Sequence, residues 1–474
     1  MERPLSLGAD RDAALVHAAD LVAQAWRDFD TARDVETETS ATLLDALSEP
    51  LPEGPGDVIA NLDLAGDVLD ASLAQARPRY LAYIGSSGLE VGALADLLAH
   101  SYDINLALDA RAATRLERQA VSWLAQFLGY PATAGSFTSG GTISNLTGLA
   151  AARERALPGS RASGMHGHRV AVYASAEAHY SVTRAAELLG IGRDWVRSVA
   201  IDDRRRMRPD DLAARIDADI DAGITPIAVV ATAGTTLTGA VDPIGAIADV
   251  CEPRAVWLHI DGAYGLPAST TSAAPLFAGL DRVDSLGVDA HKWMFVPKAC
   301  SAVLVRWTTD LASAFSHDEA YIPHEGDALN AVDVTLEYSR PFRALKLWLA
   351  LRVHGASAFR AAIEANLDQA ALLFGLAGER PDFQTRDHAP QLSIVPLRHL
   401  VPGCPDVDRH NAELCRAMQR DGRVYVSPAT IDGQTWLRPC FTNFRTTTED
   451  VHVTLEVAAE LGSALCPQHS LPPS

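Results

Sequence analysis

"AVWLHIDGAYG", residues 255–265, is a short apolar run that ends on a carboxylate and then breaks into glycines. Bounded by turn residues and too short for a helix, it reads as a buried strand with Asp261 at its carboxyl end. Three runs of the same kind accompany it: "HRVAVYAS" (168–175), "PIAVVATAG" (226–234) and "CSAVLVRW" (300–307). Helical stretches separate them, and such alternation argues for an α/β fold with a mostly parallel sheet and helices on both faces. Residues 76–345 are expected to form this large domain.

Outward from the sheet, a long helical tract at 338–377 leads to "PQLSIVPL" (390–397), a helix, "GRVYVSPATI" (422–431), "TWLRPCFTNF" (435–444) and a last helix from about Thr448. This is the pattern of a small C-terminal α+β domain over 346–474, with the long helix as its lever. On the other side, Leu15, Ala18, Leu21, Val22, Ala25 and Trp26 recur at helical spacing until "SEPLPEGPGD" (48–57) interrupts. Residues 1–75 read as a helical arm.

The chain has 474 residues, 48% hydrophobic and 21% charged, enough to bury a large core. Lys and Arg number 40 against 60 Asp and Glu, a formal charge of -20, so the general field repels polyanions and nucleic acid is not an expected partner. The six cysteines (Cys251, Cys300, Cys404, Cys415, Cys440, Cys466) show no CxxC or Cys/His ligand spacing, which suggests reduced thiols with neither a disulfide framework nor a metal site. "MERPLSLGADRDAALVHAADLVAQAW" (1–26) lacks the basic segment and apolar core of a signal peptide, and no run approaches the roughly 20 apolar residues of a membrane span. A soluble cytoplasmic protein, not bound to a membrane, is expected.

"VDAHKWMFVPKACSAVLVR" (288–306) puts Lys292 31 positions beyond Asp261 (292 − 261), and both fall near strand ends, where open α/β sheets bind ligands. An aldehyde cofactor such as pyridoxal phosphate needs a lysine for its Schiff base and a carboxylate facing its pyridine nitrogen. Taken singly, Asp261 reads equally as a turn residue and Lys292 as a strand-edge lysine. "GSFTSGGTISNLTGLAAARERAL" (135–157) sets Gly140, Gly141 and Thr142 at the start of a helix, a pattern suited to a phosphate but also common in plain loops. His179 follows a strand at the mouth of a helix, where it can stack on a ring or simply cap. Thr235, Thr236 and Asp242 suit either supporting hydrogen bonds or ordinary turn chemistry.

In this order the pieces resemble the group II pyridoxal-phosphate-dependent decarboxylases, the family of aromatic amino acid, glutamate and related decarboxylases, over about residues 75–460. The likeness rests on eight collinear motifs: "RPRYLAYIGSS", "TSGGTISN", "AHYSV", "ATAGTT", "HIDGAYG", "DAHKW", "SRPFRALKLW" and "NFRTTTEDV". It implies a fold type I enzyme with a seven-stranded sheet, acting as a homodimer with the active site at the interface and the N-terminal helices clasping the partner. It further implies that Lys292 forms the Schiff base, Asp261 pairs with the pyridine nitrogen, His179 stacks on the ring and Ala263 packs on its other face. Gly141, Thr142 and His291 match phosphate-holding positions, and Thr236 and Asp242 match residues behind them.

Tyr321, 29 positions after Lys292 (321 − 292), falls at the family's tyrosine that protonates the α-carbon after CO2 is lost. Relatives that make aldehydes carry phenylalanine there, or asparagine at the stacking histidine; this chain retains both His179 and Tyr321, which favours simple decarboxylation. The polar stretch "IPHEGDALNAVDVTLEYSR" (322–340) suits a lid. Departures concern the substrate. Gln75 stands where aromatic decarboxylases tend to have tryptophan, and Tyr83-Ile84-Gly85 where they have Tyr-Phe-Pro, so the pocket expected from Tyr83, Ile84 and Ser86 is less aromatic. An aromatic L-amino acid is favoured by family. Acidic, diamino or aliphatic substrates, or decarboxylation-dependent aldehyde synthesis, are the alternatives. Asp289 replaces an asparagine found near the phosphate in some relatives and needs compensating donors.

Overall fold

Seven strands make the principal sheet: β1 (Ala134–Thr138), β2 (Val170–Ser175), β3 (Val196–Val199), β4 (Thr225–Thr232), β5 (Trp257–Asp261), β6 (Ser285–Asp289) and β7 (Ser301–Val305). The computed structural model describes residues 5–32, 34, 38–317, 319 and 330–469. The strand order is β1-β7-β6-β5-β4-β2-β3. Strands β3, β2, β4, β5 and β6 run parallel, as expected, whereas β7 is antiparallel to both β6 and β1.

Helices cover both faces, so β2, β5, β6 and β7 are buried along their whole length and read as continuous apolar runs. Within β4 the alternation still shows. Val229 and Ala231 join the cluster around Leu124, Ile260 and Trp293, while Ala228 and Val230 join the one around Leu149, Val172 and Leu311. The helix Gly141–Ala156 presses so closely on the sheet that a Cβ on Gly148 would come within 2.6 Å of the His259 ring.

A second, antiparallel sheet carries β8 (Phe383–Thr385), β9 (Leu397–His399), β10 (Ser427–Ile431) and β11 (Gln434–Arg438) in the order β10-β11-β9-β8. An Asp432-Gly433 turn with φ of 52° and 76° closes its hairpin, as this dipeptide favours. The tract between the sheets, Ala344–Gly378, is two helical segments broken at Gly355 (φ 75°, ψ 154°), where the sequence had suggested one lever. Residues 79–81, expected in the large domain, are also tied to the small sheet: Leu81 donates to the Tyr425 carbonyl (2.8 Å) and Tyr425 to that of Arg79 (3.0 Å).

The N-terminal arm comprises the helices Arg11–Phe29, Ala41–Ala46 and Val58–Asp70. Of their residues only Ala14 and Leu43 are buried, while Leu15, Val16, Leu44 and Leu69 are more than half exposed. No helix among the described residues is long and apolar enough to cross a membrane.

Candidate active site

Strands β4, β5 and β6 end side by side at Thr232, Asp261 and Asp289, with Thr232 in register with Asp261. The carboxyl edge of a parallel sheet is where its ligands bind, and a cavity of about 480 Å³ opens there. Eight of the residues anticipated from sequence line it: Ile84, Gly141, Thr142, His179, Thr236, Asp261, Ala263 and Lys292. Four others do not. Tyr83 is 59% exposed, Ser86 is buried with its hydroxyl on the Val296 carbonyl (3.0 Å), and Asp242 and His291 sit behind the wall. Tyr321 lies outside the described residues.

Lys292 is set by a turn at the end of β6, its own N–H donating to the Asp289 carbonyl (3.0 Å) and its carbonyl accepting from Phe295 (3.2 Å). The strand expected over 300–307 is Ser301–Val305, and the apolar residues before it are not strand. Residues Trp293 to Val296 are instead a buried turn, in which the Trp293 indole donates to Asn366 (3.0 Å) and stacks on Tyr264 at 5.1 Å. Packing, not a ladder, holds the lysine in place.

Burial works against charge on Lys292, but Asp289, 3.0 Å from Nζ, and Asp261 outweigh it and hold the ammonium pKa above its ordinary value. Burial likewise opposes charge on Asp289, and Lys292, His291 (3.7 Å) and the Ser301 hydroxyl (2.5 Å) together keep its pKa below the usual range. These are the compensating donors that the aspartate requires. His179 and His291 are both pushed down, chiefly by burial. The His179 Nδ1 accepts from Ser181, through its hydroxyl at 2.8 Å and its N–H at 3.3 Å, which leaves the proton on Nε2.

Asp261 is held from behind by residues that the sequence reading passed over. Asn145 Nδ2 donates to Asp261 Oδ2 (2.9 Å) and the Ala263 N–H to Oδ1 (3.2 Å). With its amide so directed, the Asn145 oxygen faces His259 Nε2 (3.0 Å), which makes that nitrogen the donor; Nδ1 then accepts from Ser285 (2.7 Å). Full burial pulls the His259 pKa down to about 4, so the ring is neutral. A spacing signal existed for both. His259 precedes Asp261 by two on the same face of a strand, and Asn145 follows Gly141 by one helical turn. Asp242, fully buried, accepts from the N–H groups of Met207 (2.6 Å) and Thr232 (2.7 Å), and burial raises its pKa to about 6. It fixes the end of β4.

Pyridoxal phosphate fits this set of groups. Lysine and carboxylate converge on one cavity, and the helix Gly141–Ala156 begins at its wall, where Gly141 and Thr142 line it; the Ile143 and Ser144 N–H groups go to the Gly140 carbonyl, so the anion would meet the N–H groups of Gly141 and Thr142. A Cβ on Gly141 would lie 3.0 Å from Ala263 Cβ and 3.2 Å from both Asp289 oxygens, so the glycine keeps open the space that a phosphate needs. Fold and site together define a lysine-dependent pyridoxal phosphate enzyme of the α/β type.

Residues 67–395 match the pyridoxal-dependent decarboxylase conserved domain, and the chain belongs to that family. It is 32% identical to an aromatic-L-amino-acid decarboxylase of Bacillus atrophaeus, with 95% of each chain covered. It is 30% identical to an L-2,4-diaminobutyrate decarboxylase of Rhizobium meliloti (strain 1021), covering 91% of this chain and 87% of that one. The crystal structure of Oryza sativa TDC with PLP and tryptamine superposes with a TM-score of 0.90 at 26% identity, over 98% of this chain and 100% of the other. The protein is thus a pyridoxal-phosphate-dependent amino acid decarboxylase.

Proposed function

We propose that the enzyme converts an aromatic L-amino acid to its primary amine and CO2. The observation that carries the chemistry is the convergence of Lys292 and Asp261 on one cavity beside a helix N-terminus. The aromatic substrate is supported by the Bacillus atrophaeus relative. The Rhizobium meliloti relative gives a diamino acid as the second reading, in keeping with a wall that offers Ile84.

Bound here, the cofactor supplies an electrophilic carbon for the substrate's amine and a ring into which the electrons of the breaking bond spread. Lys292 would hold that carbon through Nζ. Asp261, oriented by Asn145 and the Ala263 N–H, keeps a proton on the ring nitrogen. His179 and Ala263 would flank the ring and Gly141 and Thr142 would hold the phosphate beside Thr236, with His291 and Asp242 supporting them from behind the wall. Ile84, with Tyr83 and Ser86 beside it, bounds the substrate side chain. Tyr321 gives its proton to the α-carbon.

Residues 1–75 act as the arm of a homodimer, 76–345 bind the cofactor and 346–474 form the small domain. The exposed leucines of the arm support this, since contiguous apolar surface marks an interaction site. The enzyme works in the cytoplasm; its five described cysteines are free thiols, as a reducing compartment leaves them. The test is a panel of aromatic, acidic, diamino and aliphatic L-amino acids, scored by amine and CO2. Fastest amine release from an aromatic member is expected, and preference for another class would replace the substrate reading.

A further inference from the structure

Thr232 closes β4 at the cavity, beside Asp261 in the ladder, and its residue is only 4% exposed. Its N–H is taken by Asp242 (2.7 Å), but its hydroxyl, fully buried, has no hydrogen-bond partner. A buried hydroxyl without a partner costs free energy, so one carried by a residue of the cavity wall marks a place where a ligand atom would complete the site. The other buried polar groups of this wall are already engaged: Asn145 by Asp261 and His259, Ser181 by Asn145 and His179, Asp289 by Lys292 and Ser301.

Pyridoxal phosphate has four polar features. The aldehyde carbon goes to Lys292, the ring nitrogen to Asp261 and the phosphate to the helix start at Gly141, which leaves the phenolic oxygen without a donor. We propose that the Thr232 hydroxyl donates a hydrogen bond to the phenolic oxygen of the cofactor and so fixes the ring's tilt and its charge. This rests on the assignment of Lys292 and Asp261 above. Thr236 also lines the cavity but is exposed, so its hydroxyl has water available and no comparable need.

A donor to this oxygen stabilises its ionised form, and that form sets the visible colour of the lysine-bound cofactor. The test uses full-length protein loaded with pyridoxal phosphate, comparing Thr232→Val, which keeps the shape and removes the hydroxyl, with Thr232→Ser, which keeps the hydroxyl. Thr232→Val is expected to move absorbance from the visible into the near-ultraviolet band and to raise the cofactor Kd about tenfold, the size of one hydrogen bond to a charged group. Thr232→Ser should match the parent in both. Thr232→Ala gives the same readout should the valine variant not fold. A hydroxyl-free variant with the parent's band ratio and a Kd within about twofold overturns the proposal, as does a serine variant that shifts like valine. A parent protein with no visible band at all would instead overturn the Lys292 assignment, and this proposal with it.

Discussion

Lys292 Nζ lies 3.0 Å from Asp289 Oδ2, inside the cavity and three residues back along the same turn. A lysine must shed its proton before it can attack an aldehyde. Here burial, which favours the neutral amine, is outweighed by the Asp289 charge, and the ammonium is held. A change at Asp289 is therefore expected to alter the pH at which the free lysine reacts with an aldehyde.

Removing that charge should reverse the balance. In Asp289→Asn, only Asp261 still opposes burial and the Lys292 pKa falls, so the pH midpoint for cofactor loading moves to lower pH. Stopped-flow absorbance of apoenzyme mixed with pyridoxal phosphate across the pH range measures it. Superimposable profiles for the two proteins would remove Asp289 from this role.

Asn145 orients Asp261 and satisfies His259, so Asn145→Ala leaves two buried atoms, Asp261 Oδ2 and His259 Nε2, without a partner. Each such loss costs about 1–3 kcal/mol, so weaker cofactor binding by roughly tenfold or more is expected, together with a lower Tm. Isothermal titration and thermal melts of the loaded and free forms report the two effects separately. A change in Tm alone would mean that Asn145 serves the core and not the site.

Tyr321 is assigned the proton that completes the amine. In Tyr321→Phe, amine formation is expected to fall by about a hundredfold, the scale of losing a positioned acid. In air, the unprotonated carbon then reacts with O2 to give aldehyde, ammonia and peroxide. Product analysis with and without oxygen checks this. An amine-only variant at the parental rate would assign the proton to another group.

The small domain holds a pH-sensitive pair. His399 Nδ1 meets His410 Nε2 at 3.0 Å, both rings are buried, and burial with the neighbouring His410 pulls the His399 pKa down to about 4 from 6.5. The unfolded chain thus binds a proton that the folded one refuses. Stability is complete above about pH 6.5 and declines as the pH falls toward 4. Urea unfolding at several pH values should show this slope, flattened in a His399→Gln, His410→Asn double variant.

The strands and the cofactor lysine were legible because burial on both sheet faces writes itself as uninterrupted apolar runs, and because Lys292 and Asp261 terminate such runs. The antiparallel course of β7 was not. Residues 290–300 look like a continuation of strand in composition, and only tertiary packing of Trp293 against Tyr264 and Asn366 makes them a turn. Asn145 and His259 were hidden for another reason: their spacing to Gly141 and Asp261 was the only local cue, and their partners come from elements over a hundred positions away. Gly355 broke a helix whose apolar pattern runs on both sides of it, since a single positive φ leaves no trace in periodicity.

Tyr83 and Ile84 both hold positive φ, 54° and 52°, a conformation that is strained for a β-branched side chain and is kept only where the surroundings enforce it. Those surroundings belong to the other sheet: Cys440 donates to the Leu81 carbonyl (2.9 Å), Thr442 to that of Gly85 (3.3 Å), and Leu81 is laced to Tyr425. The segment Leu81–Gly85, whose Ile84 lines the candidate cavity, is therefore sewn at both hems to the C-terminal third of the chain. A substitution that shifts that third would therefore be expected to move Ile84 and change the width of the cavity without touching its contents.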